Sequence, residues 1–338
     1  MGVDIGDIAS KKTIKIKDFS GSIVSVDAYN ILYQFLSSIR QPDGTPLMDD
    51  NGNVTSHLSG VFYRTVALLE NGIRPVYVFD GKPSPLKNRT IEERRLIKEK
   101  SRIELEQAIS EGNEERIRSL SSRINYITRD IVEETKTLLG YMGLPYVQAV
   151  SEGEAQASAM SRDGIVQGVI SQDYDCLLFG AAKVLRNFTF NGRRKLPGRN
   201  IYINVSPELI DLQETLEMNK ITREQLIDIG ILVGTDFNLG LKRIGAKTAL
   251  NLIRKYGNIK RVLIEKKTTI ENLDAIKDLF INPPATTDYK IAFNLPDESK
   301  IIDFLCNVHS FSPGRVEPYV SVLKDALKGR SQTNLDFF

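Results

Sequence analysis

The sequence predicts an α/β fold, a mostly parallel, twisted central sheet with helices on both faces. Three apolar runs carry that expectation. Val166 to Ile170 reads as a short buried strand that runs out into Ser171-Gln172-Asp173-Tyr174-Asp175. Ile23-Val24-Ser25-Val26-Asp27 and Pro75-Val76-Tyr77-Val78-Phe79-Asp80 end in the same way. In an open α/β sheet, ligand chemistry sits just beyond the carboxyl ends of the strands. Two carboxylates one residue apart repel each other unless something positive lies between them. Three strands that each deliver an aspartate therefore suggest one acidic pocket built to hold divalent metal.

Composition narrows the alternatives. The chain has 338 residues, 41% hydrophobic and 26% charged, enough to bury a large core. No run of about 18 apolar residues occurs, so no membrane span is expected, and the N-terminus lacks the apolar stretch of a signal peptide. Met1-Gly2 invites a myristoylation reading that fails at Gly6. Two cysteines, Cys176 and Cys306, suit a reducing compartment. With His57 and His309 the only histidines, a His-rich zinc site is excluded, whereas a hard cation held by carboxylates is not. The net charge of +2 means that nucleic-acid affinity must come from local patches.

A Lys-rich run from Lys11 to Lys17 precedes the first strand. Ala28 to Ile39 reads as a helix with Ile31, Leu32, Phe35, Leu36 and Ile39 on one face, and Tyr33 and Arg40 near its edge. Tyr33 fits core packing and base stacking equally well. Residues 41–54 are turn-rich, with a hairpin signal at Asn51-Gly52. A helix from Ser56 to Asn71 leads into the strand ending at Asp80. Residues 87–102 then gather Lys87, Arg89, Arg94, Arg95, Lys98, Lys100 and Arg102 among Glu92, Glu93 and Glu99. Such a run is ordinarily a solvated helix face, but following Asp80 directly it gains weight as a phosphate-binding element. Lys87 and Arg94 are two helical turns apart and point the same way. Ile117, Leu120, Ile124, Ile127, Ile131 and Leu138 predict an amphipathic helix, so 83–140 reads as a helical insertion between strands.

Pro145 to Val150 is the fourth strand candidate. Behind it, Ser151 and Glu154 match a capping box, which gives Glu154 a purely structural alternative. Its place after a strand, with Glu152 in the preceding loop, favours metal ligation. Residues 183–205 hold two strand-like runs, Val184 to Phe190 and Ile201 to Val205, with turns at Asn191-Gly192 and Pro197-Gly198. A helix from Thr222 to Val233 ends at Gly234-Thr235-Asp236. There follows a glycine-punctuated turn from Gly240 to Ala249, carrying Lys242, Arg243, Gly245, Lys247 and Thr248, that opens a helix. Free N–H groups and a positive dipole there suit a phosphate. The pattern resembles a helix–hairpin–helix or helix–two-turn–helix element, which grips duplex backbone without reading sequence. Residues 265–325 show helices and loops without evident chemistry. The tail from Gly329 is polar until Leu335-Asp336-Phe337-Phe338, as in a docking peptide.

Taken together, Val26-Asp27-Ala28, Val78-Phe79-Asp80-Gly81-Lys82-Pro83, Glu152-Gly153-Glu154-Ala155-Gln156-Ala157, Ser171-Gln172-Asp173-Tyr174-Asp175 and Gly234-Thr235-Asp236-Phe237-Asn238 resemble the flap endonucleases, structure-specific 5′ nucleases of DNA replication and repair. The likeness spans essentially the whole chain and looks archaeal rather than eukaryotic. It implies a nuclease domain over 1–328 with an N-terminal region at about 1–100, a helical arch at about 83–140, and an internal region at about 141–260 with helix–two-turn–helix at about 234–257.

It also implies that Asp27, Asp80, Glu152, Glu154, Asp173, Asp175 and Asp236 form the family's seven-carboxylate cluster around two Mg²⁺ per subunit. Lys87 and Arg94 would contact the scissile phosphate, and Tyr33 would stack on a nearby base. Thr55-Ser56-His57 would begin the segment holding a one-nucleotide 3′ flap, Arg40 would be a further DNA contact, and Gly2 would lie near the metals. Hydrolysis would use metal-activated water, so no histidine base is needed.

The partners implied are branched DNA and, through residues 329–338, a sliding clamp. The protein would be a monomer on its own, cytoplasmic in an archaeon or nuclear in a eukaryote. Gln332, Leu335, Phe337 and Phe338 carry the clamp signal, with one residue rather than the family's two between aliphatic and aromatic pair. A metal-dependent ribonuclease and a catalytically idle junction binder remain as alternatives. The duplex-gripping turn argues against the first and the complete set of seven acids against the second.

Overall fold

The computed structural model describes residues 2–41, 44–113, 116–117, 120, 127–188, 193–195 and 202–328. The central sheet is built from β1 (Lys12–Thr13), β2 (Ile23–Asp27), β3 (Arg74–Phe79), β4 (Tyr146–Gln148), β5 (Val169–Ile170), β6 (Lys183–Arg186) and β9 (Glu208–Asp211), while β7 (Arg193–Lys195) and β8 (Tyr202–Asn204) form a separate antiparallel ribbon. The order across the sheet is β1-β9-β6-β5-β2-β3-β4. The five strands from β6 to β4 run parallel, and β9 and β1 extend the sheet antiparallel. The chain moves outward from β2 to β3 and β4, then returns to lay β5 on the other side of β2. That reversal opens a crevice at the carboxyl ends of β2 and β5, where sheets of this kind hold ligands.

The helices, in order, are α1 (Ala28–Ser38), α2 (Ser56–Glu70), α3 (Asn88–Ser110), α4 (Arg129–Tyr141), α5 (Gly153–Arg162), α6 (Asp175–Leu178), α7 (Leu212–Asn219), α8 (Arg223–Val233), α9 (Ala246–Tyr256), α10 (Ile259–Glu265), α11 (Leu273–Ile281), α12 (Glu298–Ile302) and α13 (Pro313–Lys328). Alternation along β3 shows how the layers form. Val76 and Val78 pack with residues of α5, α8 and α9, whereas Tyr77 and Phe79 pack with residues of α1, α2, α4 and α13. Both faces are covered, which is why the run is apolar without interruption. The buried Tyr77 hydroxyl is satisfied by Thr65 at 2.7 Å.

Three local expectations change. The apolar series from Ile117 to Leu138 is not one helix: Thr128 has extended backbone, its hydroxyl accepts from the Ile131 N–H at 3.3 Å, and this cap starts α4 afresh. Ser151 and Glu154 form no capping box. Glu152 takes the cap position of α5 without a side-chain cap bond, because its carboxylate is committed elsewhere. The strand expected from Val184 to Phe190 stops at Arg186, where Asn187 turns to φ 50°. The Asn51-Gly52 turn forms, with Gly52 at φ 82° and a bridge between Met48 and Val54. The turns at Asn191-Gly192 and Pro197-Gly198, and the tail with Gln332, Leu335, Phe337 and Phe338, lie outside the described residues.

Candidate active site

Each strand end fixes its carboxylate through backbone N–H groups. Asp27 closes β2 and caps α1, its Oδ1 accepting from the Asn30 N–H at 3.0 Å. Asp80 follows β3, and its Oδ1 accepts from the Gly153 N–H at 2.6 Å. Glycine at position 81 permits that approach, since a Cβ there would lie 2.1 Å from the Ala149 carbonyl oxygen. The Gly81 N–H donates to the Ser151 carbonyl at 2.6 Å, which draws Asp80 against the start of α5, where Glu152 and Glu154 stand. Beyond β5, Asp173 accepts from the Gly2 N–H at 3.2 Å and from the Asn30 side chain at 2.8 Å. The buried Asp175 accepts from the Val3 N–H at 2.8 Å.

The seventh carboxylate arrives from the far side. Asp236 follows α8 and meets the base of α3: Arg94 donates to it at 2.6 Å, the Thr90 hydroxyl donates to its carbonyl at 2.6 Å, and Lys87 lies 3.4 Å away. Lys87 also pairs with Glu152. Both cations predicted on one helical face thus reach the acidic cluster from one side. Tyr33 is 41% exposed, outside the core, with the Lys98 ammonium 5.2 Å from its ring centre.

Burial and crowding set the electrostatics. Burial pushes Asp175 up to about 7, with Asp236 and Asp173 adding repulsion against the Val3 N–H and Lys87. Burial raises Asp80 to about 6, Glu152 adding to it and the Gly153 N–H and Lys87 opposing. Burial, then the charge of Asp27, holds Glu154 well above the ordinary range, and burial with Asp80 raises Asp27. Burial works to lower the Lys87 ammonium, but Glu152, Asp236 and Glu154 outweigh it and keep it protonated.

This surplus of negative charge among oxygen donors fits a hard divalent cation. Among the described residues, no three His, Cys, Asp or Glu side chains close around one point as a finished coordination sphere.

The glycine turn lies at the end of α8. Gly234 takes φ 111°, a conformation that favours glycine, and Gly245 caps α9 with open space around it. Lys242, Arg243, Lys247 and Thr248 are all exposed around that helix start. Three other residues with an expected DNA contact lie between α1 and the first residue of α2. Thr55 and Ser56 are buried, and the Ser56 hydroxyl donates to the Ile39 carbonyl at 2.7 Å and accepts from the Leu47 N–H at 3.0 Å. Arg40 donates to the carbonyls of Leu36 and Gly44 at 3.1 and 2.8 Å. The Ser56 hydroxyl and the Arg40 guanidinium thus bond to backbone groups within the chain.

Sequence reasoning missed Asn30 and Val3. A polar residue three positions after Asp27, in an otherwise apolar helix start, was a signal for Asn30; Val3 acts through its backbone and carries none.

Comparison with known proteins follows the same lines. The XPG N-terminal domain matches residues 4–101 and the XPG I-region matches 143–236. Flap endonuclease 1 of Picrophilus torridus is 61% identical over the full length of both chains. That of Methanosarcina acetivorans is 50% identical over 98% of each. The solved structure of flap endonuclease-1 from Methanococcus jannaschii superposes with a TM-score of 0.78 at 44% identity, covering 97% of this chain and all of that one. On sequence, fold and site together, this chain belongs to the flap endonuclease family.

Proposed function

We propose that this protein is a structure-specific 5′ flap endonuclease that hydrolyses phosphodiesters where single-stranded DNA meets duplex, in replication and repair. The mutual repulsion that links Asp27, Asp80, Glu152, Glu154, Asp173, Asp175 and Asp236, with Lys87 and Arg94 entering from the base of α3, supports the reading. Asp27, Asp80, Glu152, Glu154, Asp173, Asp175 and Asp236 would hold two Mg²⁺, directly or through water. When bound, the metals supply an activated water and stabilise the leaving oxygen. Lys87 and Arg94 turn from Glu152 and Asp236 toward the scissile phosphate and stabilise its developing charge. Tyr33 offers an exposed face for a base. The turn at 240–248 holds downstream duplex by its phosphates, and the helical insertion at 83–140 admits the single strand. Thr55 and Ser56 would begin the segment that meets the 3′ flap, and Arg40 would be a further DNA contact.

The tail from residue 329 is assigned to a sliding clamp on its Leu335-Asp336-Phe337-Phe338 sequence, and the working compartment to the archaeal cytoplasm on the sources of its relatives. A panel of double-flap DNA, nicked duplex, single-stranded DNA and an RNA hairpin tests the function. The double flap should be cut fastest, by a wide margin. Equal rates on single strands, or preference for RNA, would overturn the reading.

A further inference from the structure

We propose that Asn30 is a positioning residue for the metal centre: its carboxamide ties the loop carrying Asp173 to the first turn of α1, whose Asn30 N–H holds Asp27, and so aims Asp173 across the crevice toward Asp27. The inference rests on the metal-dependent reading above. Asn30 makes three contacts with three different groups. Its backbone N–H donates to Asp27 Oδ1 at 3.0 Å, its side-chain nitrogen donates to Asp173 Oδ2 at 2.8 Å, and its side-chain oxygen accepts from the Gln172 N–H at 3.3 Å. The chemistry of the partners fixes the amide orientation, since a carboxylate can only accept and an N–H can only donate.

The position matters because Asp27 and Asp173 leave neighbouring strands at the point where strand order reverses, and no backbone ladder joins them there. The register between β2 and β5 ends at Val26 and Ile170. Asn30 continues the connection past the end of the sheet. From the opposite side, Arg186 on β6 donates from Nε to the Gln172 carbonyl at 3.0 Å, and its guanidinium lies 4.2 Å from the centre of the Tyr174 ring. Both backbone polar groups of Gln172, the residue just before Asp173, are thereby held.

A neutral donor also suits the task. A lysine in the place of Asn30 would neutralise Asp173 and compete with a cation, whereas an amide orients one carboxylate oxygen and leaves the charge intact. Groups that orient ligands in this way typically change metal affinity by about 10–100-fold when removed.

The test measures Mn²⁺ binding to the full-length protein without DNA, by titration calorimetry and by loss of the free-ion electron paramagnetic resonance signal. The proteins are wild type, Asn30→Leu, Asn30→Ala and Asp173→Ala. Binding of a double-flap junction in EDTA is measured alongside as a check that the fold is intact. Both Asn30 variants should bind Mn²⁺ about 10–100-fold more weakly while binding the junction in EDTA as wild type does. Unchanged Mn²⁺ affinity in both, or junction binding that falls in step with it, would overturn the proposal. Wild-type Mn²⁺ binding by Asp173→Ala would instead overturn the metal-centre reading on which it depends.

Discussion

The carboxyl edge of the sheet and helix α3 face each other across the site and are held by different means. Asp27 and Asp175 are 3% and 2% exposed, each tied to a backbone N–H, Asp27 at the end of β2 and Asp175 at the start of α6. The 23-residue α3 buries only Ser101 and Ala108. It is attached at its base through Lys87, Thr90 and Arg94. Further along, its polar contacts include surface pairs such as Arg95 with Glu92 and Arg102 with Glu99 and Glu106, which are individually weak. On the proposed reading the contrast divides the labour: the sheet edge would fix the charge that holds the ions, and the helix would present cations able to exchange a carboxylate for a phosphate.

The sheet edge should give the largest effect. Asp173→Ala should lower single-turnover cleavage by several kcal/mol, on the order of 10³-fold, with junction binding in Ca²⁺ nearly unchanged; a loss of less than tenfold would remove Asp173 from the centre. Next comes the base of α3. Lys87→Ala should reduce the rate about 10²–10³-fold and binding far less, because its target charge develops in the transition state. Equal losses in rate and binding would make Lys87 a general phosphate contact instead. Lys242→Ala should weaken junction binding only a few-fold and lower the slope of log affinity against log salt by about 1, leaving the saturated rate alone. A fall in that rate would place the turn in the chemistry.

A separate readout of the sheet edge is stability without metal. Asp80 and Asp175 are raised by burial to about 6 and 7, so between pH 4 and 7 the folded state binds more protons than the unfolded. Stability from these groups is therefore fully present below the unfolded value near 4 and lost as pH rises through 6 to 7. In EDTA the melting temperature should fall over that window, and Asp175→Asn should flatten the slope. A wild-type slope in the variant would show that Asp175 does not carry the linkage.

Much of the sheet edge was legible because apolar runs ending in aspartate state both burial and position. The helices from Ser56 and Thr222 were legible from periodicity and caps, and each begins within one residue of expectation. Less legible were features set by distant partners. The antiparallel strands β9 and β1 are two to four residues long and gain their order from pairing with β6 and with each other, so no local pattern announces them. Thr128 splits an otherwise continuous apolar series because one hydroxyl caps a new helix. Thr55, Ser56 and Arg40 carry groups suited to nucleic acid, and only the fold shows those of Ser56 and Arg40 committed to backbone partners within the chain.

The most direct test of the division between a metal-binding sheet edge and a junction-gripping exterior uses a 5′-labelled double-flap DNA with wild type and Asp173→Ala, each in Mg²⁺ and in Ca²⁺. The account predicts that all four combinations bind the junction and only wild type in Mg²⁺ cuts it, releasing the flap plus one nucleotide. Tight binding by wild type in Mg²⁺ with no cleavage, or undiminished cleavage by Asp173→Ala, would contradict it.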